Sequence, residues 1–138
     1  MTPGNVRRGW NRAVVSLGSN IRPESNIPEA RKRIAERFRV LAESRFVRTE
    51  PIGPPGQPVY VNGAVLLETR LDRRDLEREL KDIEMRLGRV RTADKFAPRT
   101  IDLDIAVWNG RVVEPYVHER EFLKKAIDEV WPKGIRMH

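Results

Sequence analysis

Asp102 and Asp104 stand two residues apart in the run Ile101-Asp102-Leu103-Asp104-Ile105-Ala106-Val107-Trp108. The alternation is that of a β-strand, with Ile101, Leu103, Ile105 and Val107 on one face and both aspartates on the other. The strand rise over two residues separates the aspartates by roughly 7 Å. Aspartate is a poor strand former and two like charges on one face repel, so the pair requires a compensating cation. Carboxylates at this spacing suit Mg²⁺, which takes one or two of them and fills its shell with phosphate oxygens. Upstream lie Arg86, Arg89, Arg91, Lys95 and Arg99, a density of cations suited to a polyphosphate. A solvated strand edge beside a basic loop is the plainer reading of the same residues.

Composition narrows the chemistry. The 138 residues, 39% of them hydrophobic, predict one domain over 1–138 with a single core and a loose N-terminal arm at 1–11. A formal net charge of +7 points to an anionic partner: nucleotide, nucleic acid or acidic surface. The absence of cysteine excludes disulfides, thiolate metal sites and cysteine nucleophiles. Two histidines, His118 and His138, are too few for a histidine-built metal centre, which leaves a hard cation held by oxygen. The segment from Met1 to Arg12 lacks the apolar stretch of a secretory signal, and no apolar run is long enough to span a membrane. The expected location is cytoplasmic.

The elements that must position the aspartates follow in order. Residues 13–17 are a short apolar run ended by Gly18-Ser19-Asn20, which predicts a buried strand entering a turn. Asn26 is a candidate N-cap for a helix with Pro28 in its first turn and Ile27, Ala30, Ile34 and Phe38 at helical spacing. One strand is predicted from about Val40 to Thr49, then a proline-rich rigid loop from Glu50 to Pro58. A further strand runs from Tyr60 to Thr69, with Tyr60, Asn62, Ala64 and Leu66 on one face. Asn62 in that apolar setting needs a hydrogen-bonding partner, in loop backbone or in a ligand.

Asp72 caps the clearest helix, which carries Leu76, Leu80, Ile83 and Leu87 and ends at Gly88. Glu84 sits in its last turn, where a carboxylate opposes the dipole; a separate task or a salt bridge to Arg91 accounts for it equally. Residues 89–98 form a connection of about ten residues, long for a compact domain and rich in arginine. Asn109-Gly110 is a turn signal after the aspartate strand. A last helix is predicted from Glu119 to about Val130, with Phe122, Ala126, Ile127 and Val130 inward. The order strand–helix–strand–strand–helix–strand predicts an α+β domain: a ferredoxin-like split βαβ sandwich, its antiparallel-containing sheet packed by helices mainly on one face.

Several motifs, in order, resemble the 6-hydroxymethyl-7,8-dihydropterin pyrophosphokinase family. They include Leu17-Gly18-Ser19-Asn20, Arg48-Thr49-Glu50-Pro51-Ile52-Gly53, Gln57-Pro58 before Tyr60-Val61-Asn62, and Glu84 with Leu87-Gly88-Arg89-Val90-Arg91. The most specific is Lys95-Phe96-Ala97-Pro98-Arg99-Thr100-Ile101-Asp102-Leu103-Asp104-Ile105, and His118-Glu119-Arg120 with Phe122 completes the set, from about Ala13 to Pro132. The resemblance implies transfer of pyrophosphate from ATP to the pterin's hydroxymethyl group in folate biosynthesis, with AMP released. It implies that Asp102 and Asp104 bind two Mg²⁺ ions, and that Arg89 and Arg99 join them as catalytic residues. Glu84, Arg91, Lys95, Phe96, Arg99, Ile105 and Arg120 fall at ATP positions. Thr49, Ile52, Tyr60, Asn62 and Phe122 fall at pterin positions. The implied partners are these two small molecules, with neither nucleic acid nor membrane.

The chain departs from the family in places. Glu114 stands where a histidine usually touches the nucleotide, so either nucleotide binding weakens or Glu114 turns away. Lys95 replaces a common arginine and loses its planar fork. The last helix is more polar than usual, and the chain ends at His138 without the family's usual further segment. Two alternatives remain: a catalytically weak member of the family, and a basic ferredoxin-like module binding nucleic acid. Against the latter, Tyr60 and Phe46 are the only aromatics placed to stack bases on the strands.

Overall fold

The computed structural model describes residues 8–50, 55–56, 58–88 and 100–131. Its centre is β1 (Asn11–Ser19), buried along nearly its whole length because it is flanked on both edges and covered on both faces. The other strands are β2 (Arg39–Glu43), β3 (Val47–Thr49), β4 (Tyr60–Thr69), β5 (Asp102–Trp108) and β6 (Arg111–Val112). Among the described residues they form one antiparallel sheet in the order β2-β4-β1-β5-β6, with β3 also pairing β4. The helices are α1 (Pro23–Arg37), α2 (Arg73–Arg86) and α3 (Glu121–Val130), and a 3₁₀ turn covers Pro115–Glu119. The chain is therefore of the α+β class. No described helix is long and apolar enough to cross a membrane.

The sheet separates two cores. On one face, Ile27, Ala30 and Ile34 of α1 and Leu76, Leu80 and Ile83 of α2 pack over Ala13, Val15, Leu17 and Leu103. On the other, Leu123, Ala126, Ile127 and Val130 of α3 cover Val14, Ala64 and Leu66. The two long helices thus share a face as expected, while α3 closes the opposite one. Phe122, expected inward, is half-buried at the rim of that second core, and Leu123 takes the buried position.

Three boundaries differ from expectation. The first helix begins at Pro23, one turn before Asn26, with Arg22 at the N-cap in the left-handed region (φ 42°). Proline needs no N–H donor at that first position and its ring presets φ, so it wins over Asn26. The Asn26 Nδ2 instead donates to Ile21 O at 2.5 Å. The single strand expected from Val40 to Thr49 breaks in two at Ser44, whose hydroxyl accepts from Ala64 N and donates to Arg45 O, both at 2.8 Å. The last helix starts at Glu121 rather than Glu119, after the 3₁₀ turn.

A β-bulge reshapes β5. Val15 pairs with Ile105 and Val14 with Val107, which leaves Ala106 as an extra residue. The alternation reverses there, so Val107 faces the α3 core instead of sharing a face with Ile101, Leu103 and Ile105. The bulge carbonyl, Ala106 O, accepts from Val113 N at 2.9 Å and Glu114 N at 3.4 Å. Those bonds fold the chain after the Asn109-Gly110 turn (φ 49° and 85°) back over the aspartates.

Candidate active site

Asp102 and Asp104 lie half-buried on the α3-side face of β5, opposite Leu103 and Ile105, as the alternation predicts up to the bulge. Asp104 is held at both oxygens. Tyr116 Oη donates to Oδ2 at 2.9 Å, and Lys81 Nζ approaches Oδ1 at 3.7 Å from α2. The Arg120 guanidinium stacks over the Tyr116 ring, 4.0 Å from its centroid. Burial and the nearby Asp104 push the Tyr116 phenol far above its usual range, so it remains a donor.

Glu114 feels the charges of this cluster. Its carboxyl is raised above the ordinary range, first by burial and then by Asp104 and Asp102, against the pull of Arg120 and Lys81.

Glu84, on the opposite side of β5, explains its own awkward place in the helix dipole. The side chain is 1% exposed, and its Oε2 accepts from Leu103 N at 2.7 Å, the amide between the two aspartates. Lys81 Nζ lies 3.6 Å from the same oxygen. Among the described residues β5 has no strand neighbour on that edge until Val107, so a side-chain acceptor satisfies the amide there and fixes the strand's orientation. Glu84→Ala is expected to lower unfolding stability by about 2–4 kcal/mol, the cost of a lost charged hydrogen bond and an unsatisfied buried donor. Urea unfolding measures it, and Glu84→Gln, which keeps an acceptor, should lose less.

A second group sits on the same sheet face. Thr49 pairs with Tyr60 across β3 and β4, and Asn62 Nδ2 donates to Thr49 Oγ1 at 2.5 Å. The Asn62 Oδ1 lies over Gly18: a Cβ built on Gly18 would meet it at 2.6 Å and the Tyr60 ring at 3.7 Å. Gly18 pairs with Asn62 on β4 and with Asp102 on β5, so Asn62, Gly18 and Asp102 stand side by side on three adjacent strands. Phe122 packs against the core of this face from the first turn of α3.

Thr49, Tyr60, Asn62, Asp102, Asp104, Arg120 and Phe122 thus share one side of the sheet. Glu84 and Ile105 lie on the other side of β5. Ile52, Arg89, Arg91, Lys95, Phe96 and Arg99 fall outside the described residues. Gly18, Lys81 and Tyr116 belong to the site although residue types alone did not mark them. Lys81 was within reach, three residues before Glu84 on one helix face. Gly18 reads as a turn, and only its pairing makes it a floor. The aromatics of β4 and its neighbour cannot form one base-stacking platform. Phe46 lies against Gly63 under Arg31, with the α1 and α2 core, while Tyr60 is on the opposite face.

Residues 14–132 match the family described as 7,8-dihydro-6-hydroxymethylpterin-pyrophosphokinase. The chain belongs to this family. It is 33% identical over 129 residues to the 2-amino-4-hydroxy-6-hydroxymethyldihydropteridine pyrophosphokinase of Haemophilus influenzae, covering 86% of this chain and 80% of that protein. To the protein of the same name from Pseudomonas aeruginosa it is 38% identical over 107 residues, 75% of this chain and 65% of that one. The Synechocystis protein so named is 33% identical over 146 residues, 98% and 74% of the two chains.

The aspartate pair of this pyrophosphokinase-family chain fits Mg²⁺ by its donor chemistry. Its oxygens are hard, and Lys81 already shows that the position draws a cation. Among the described residues no group of three or more His, Cys, Asp or Glu could hold a metal by itself. Two carboxylates that need further oxygens suit an ion arriving with phosphates.

Proposed function

We infer that the chain transfers the β,γ-pyrophosphoryl group of ATP to the hydroxymethyl oxygen of 6-hydroxymethyl-7,8-dihydropterin, giving the pterin diphosphate and AMP in folate biosynthesis. The observation that carries this reading is the Asn62–Gly18–Asp102 rung. Strand spacing puts Asn62 and Asp102 about 10 Å apart, with a glycine on the strand between them. The Asn62 carboxamide offers a donor and an acceptor to the heteroatom edge of a flat ring, with Tyr60 and Phe122 for stacking. A ring held at that end extends its hydroxymethyl arm toward the aspartates.

In this reading Asp102 and Asp104 hold two Mg²⁺ ions, which when bound neutralise charge on the attacking and leaving oxygens. The hydroxymethyl oxygen attacks the β-phosphorus, the bond from that phosphorus to the α,β-bridging oxygen breaks, and AMP departs with the electron pair. Phosphoryl-type transfer relies on positioning and charge neutralisation, so no strong base is required. Asp104, oriented by Tyr116, accepts the hydroxyl proton. Glu84 keeps β5 in place, and Arg120 together with Arg89, Arg91, Lys95, Phe96 and Arg99 serves the nucleotide, as Thr49 and Ile52 serve the pterin. The strand order, with α1 and α2 on one face, supports a ferredoxin-like split βαβ sandwich to which β6 and α3 are additions. One domain acting on two dissolved metabolites suits the cytoplasm.

The test is AMP formation from ATP and 6-hydroxymethyl-7,8-dihydropterin with and without Mg²⁺. Mg²⁺-dependent AMP, one per pterin diphosphate, is expected; a folded sample that forms none overturns the reading. Glu114 modulates it: Glu114→Gln removes a negative charge that acts on Asp102 and Asp104 and should tighten ATP about three- to tenfold. Isothermal titration with a non-hydrolysable ATP analogue and Mg²⁺ measures the change.

A further inference from the structure

Lys81 is placed where a metal's charge will be needed. Its ammonium lies 3.7 Å from Asp104 Oδ1, 3.6 Å from Glu84 Oε2 and 3.5 Å from Leu103 O. The side chain is 31% exposed and reaches from α2 around the edge of β5, so it answers a carboxylate on each side of the strand. Asp104 Oδ2 already accepts from Tyr116, and Oδ1 is the oxygen turned to Lys81.

We propose that Lys81 is a displaceable counter-ion, which holds Asp104 while no metal is bound and is released to a phosphate oxygen when metal and nucleotide arrive together. The proposal rests on the reading of Asp104 as a metal ligand. A divalent ion on Oδ1 sits about 2 Å from it and hence within about 6 Å of an unmoved ammonium, a strongly repulsive distance. The flexible stem of lysine lets the charge leave while the backbone stays. A triphosphate accompanying the metal supplies the new partner. Metal alone supplies none, so Lys81 opposes loading of bare metal and favours loading of the metal–nucleotide complex.

The probe is Mn²⁺, titrated into the whole chain without nucleotide and followed by its electron paramagnetic resonance signal. Lys81→Met, which keeps the stem and removes the charge, should bind Mn²⁺ about tenfold more tightly than the unaltered chain. The same variant should bind a non-hydrolysable ATP analogue with Mg²⁺ more weakly, by roughly fivefold. Lys81→Arg, which restores the charge, should return Mn²⁺ affinity to its original value; a structural role for the side chain would not produce these opposite shifts. Unchanged or weakened Mn²⁺ binding in Lys81→Met overturns the proposal. Asp104→Asn separates the two readings: if it leaves Mn²⁺ binding intact, the metal assignment itself fails and the counter-ion role fails with it.

Discussion

Asp102→Ala and Asp104→Ala are each expected to lower Mg²⁺-dependent AMP formation by at least about three orders of magnitude, the rate equivalent of several kcal/mol of lost charge stabilisation. The two side chains share one face of β5, and among the described residues no group of three or more His, Cys, Asp or Glu could take over from them in holding a metal. Asp104→Ala also leaves Tyr116 and Lys81 without the carboxylate they address. The Thr49–Asn62 group proposed for the pterin lies across β1 from the aspartates, with Gly18 between Asn62 and Asp102. Pterin affinity should therefore stay within about twofold while turnover disappears, since separated sites act independently. Single-turnover AMP release and a pterin fluorescence titration on the same samples give the two numbers. Full activity in either variant would remove the metal assignment.

The fold was legible wherever one physical signal dominated. β4 runs from Tyr60 to Thr69 as its alternation predicts, and Asp72 caps α2 by accepting from Asp75 N at 2.8 Å, with Gly88 in the left-handed region (φ 87°) just beyond the helix. Misreadings arose where two signals competed for one stretch. Pro23 and Asn26 both mark helix starts, and the covalent restriction of proline outweighs a side-chain cap. Ser44 looks like any strand residue until its hydroxyl is found bonding Ala64 N. Val107 follows the alternation perfectly, but a bulge is set by pairing with β1, which period-two reasoning on one strand does not contain.

The same division holds in the site. Asp102, Asp104 and Asn62 were visible because each violates the composition of its own strand. Glu84 was visible as a carboxylate at the wrong end of a helix dipole, and it accepts from the Leu103 amide, while Arg91 lies outside the described residues. Lys81 and Tyr116 violate nothing locally. Their significance comes from a helix passing beside β5 and a bulge folding residues 113–116 back over it, both tertiary facts. The family resemblance supplied the reaction, which residue physics alone narrows only to a hard cation and a polyphosphate. The close approach of Asn62 to Gly18 adds a test that rests on geometry.

Gly18→Ala should abolish productive pterin binding while sparing the metal site. The added Cβ would stand 2.6 Å from Asn62 Oδ1, closer than such atoms approach, and 3.7 Å from the Tyr60 ring, an ordinary contact. The carboxamide must therefore move while the tyrosine need not. Gly18 is flanked by paired strands on both sides, so the backbone cannot retreat without disturbing the pairing to Asn62 and Asp102 together. Rotating Asn62 breaks its bond to Thr49 and withdraws the donor–acceptor pair from a flat ring's edge. Loss of two such hydrogen bonds, at about 1–2 kcal/mol each, corresponds to a fall in pterin affinity of roughly 30- to 1000-fold. Overpacking should also cost about 1–3 kcal/mol of stability. Mn²⁺ binding, read at Asp102 and Asp104 on the next strand, should remain within about threefold. Asn62→Ala in the Gly18→Ala background removes the clash along with the amide; it should recover the lost stability but not the pterin affinity. Recovery of both would mean that Asn62 only fills space above Gly18, and wild-type pterin affinity in Gly18→Ala would remove this rung from the substrate site.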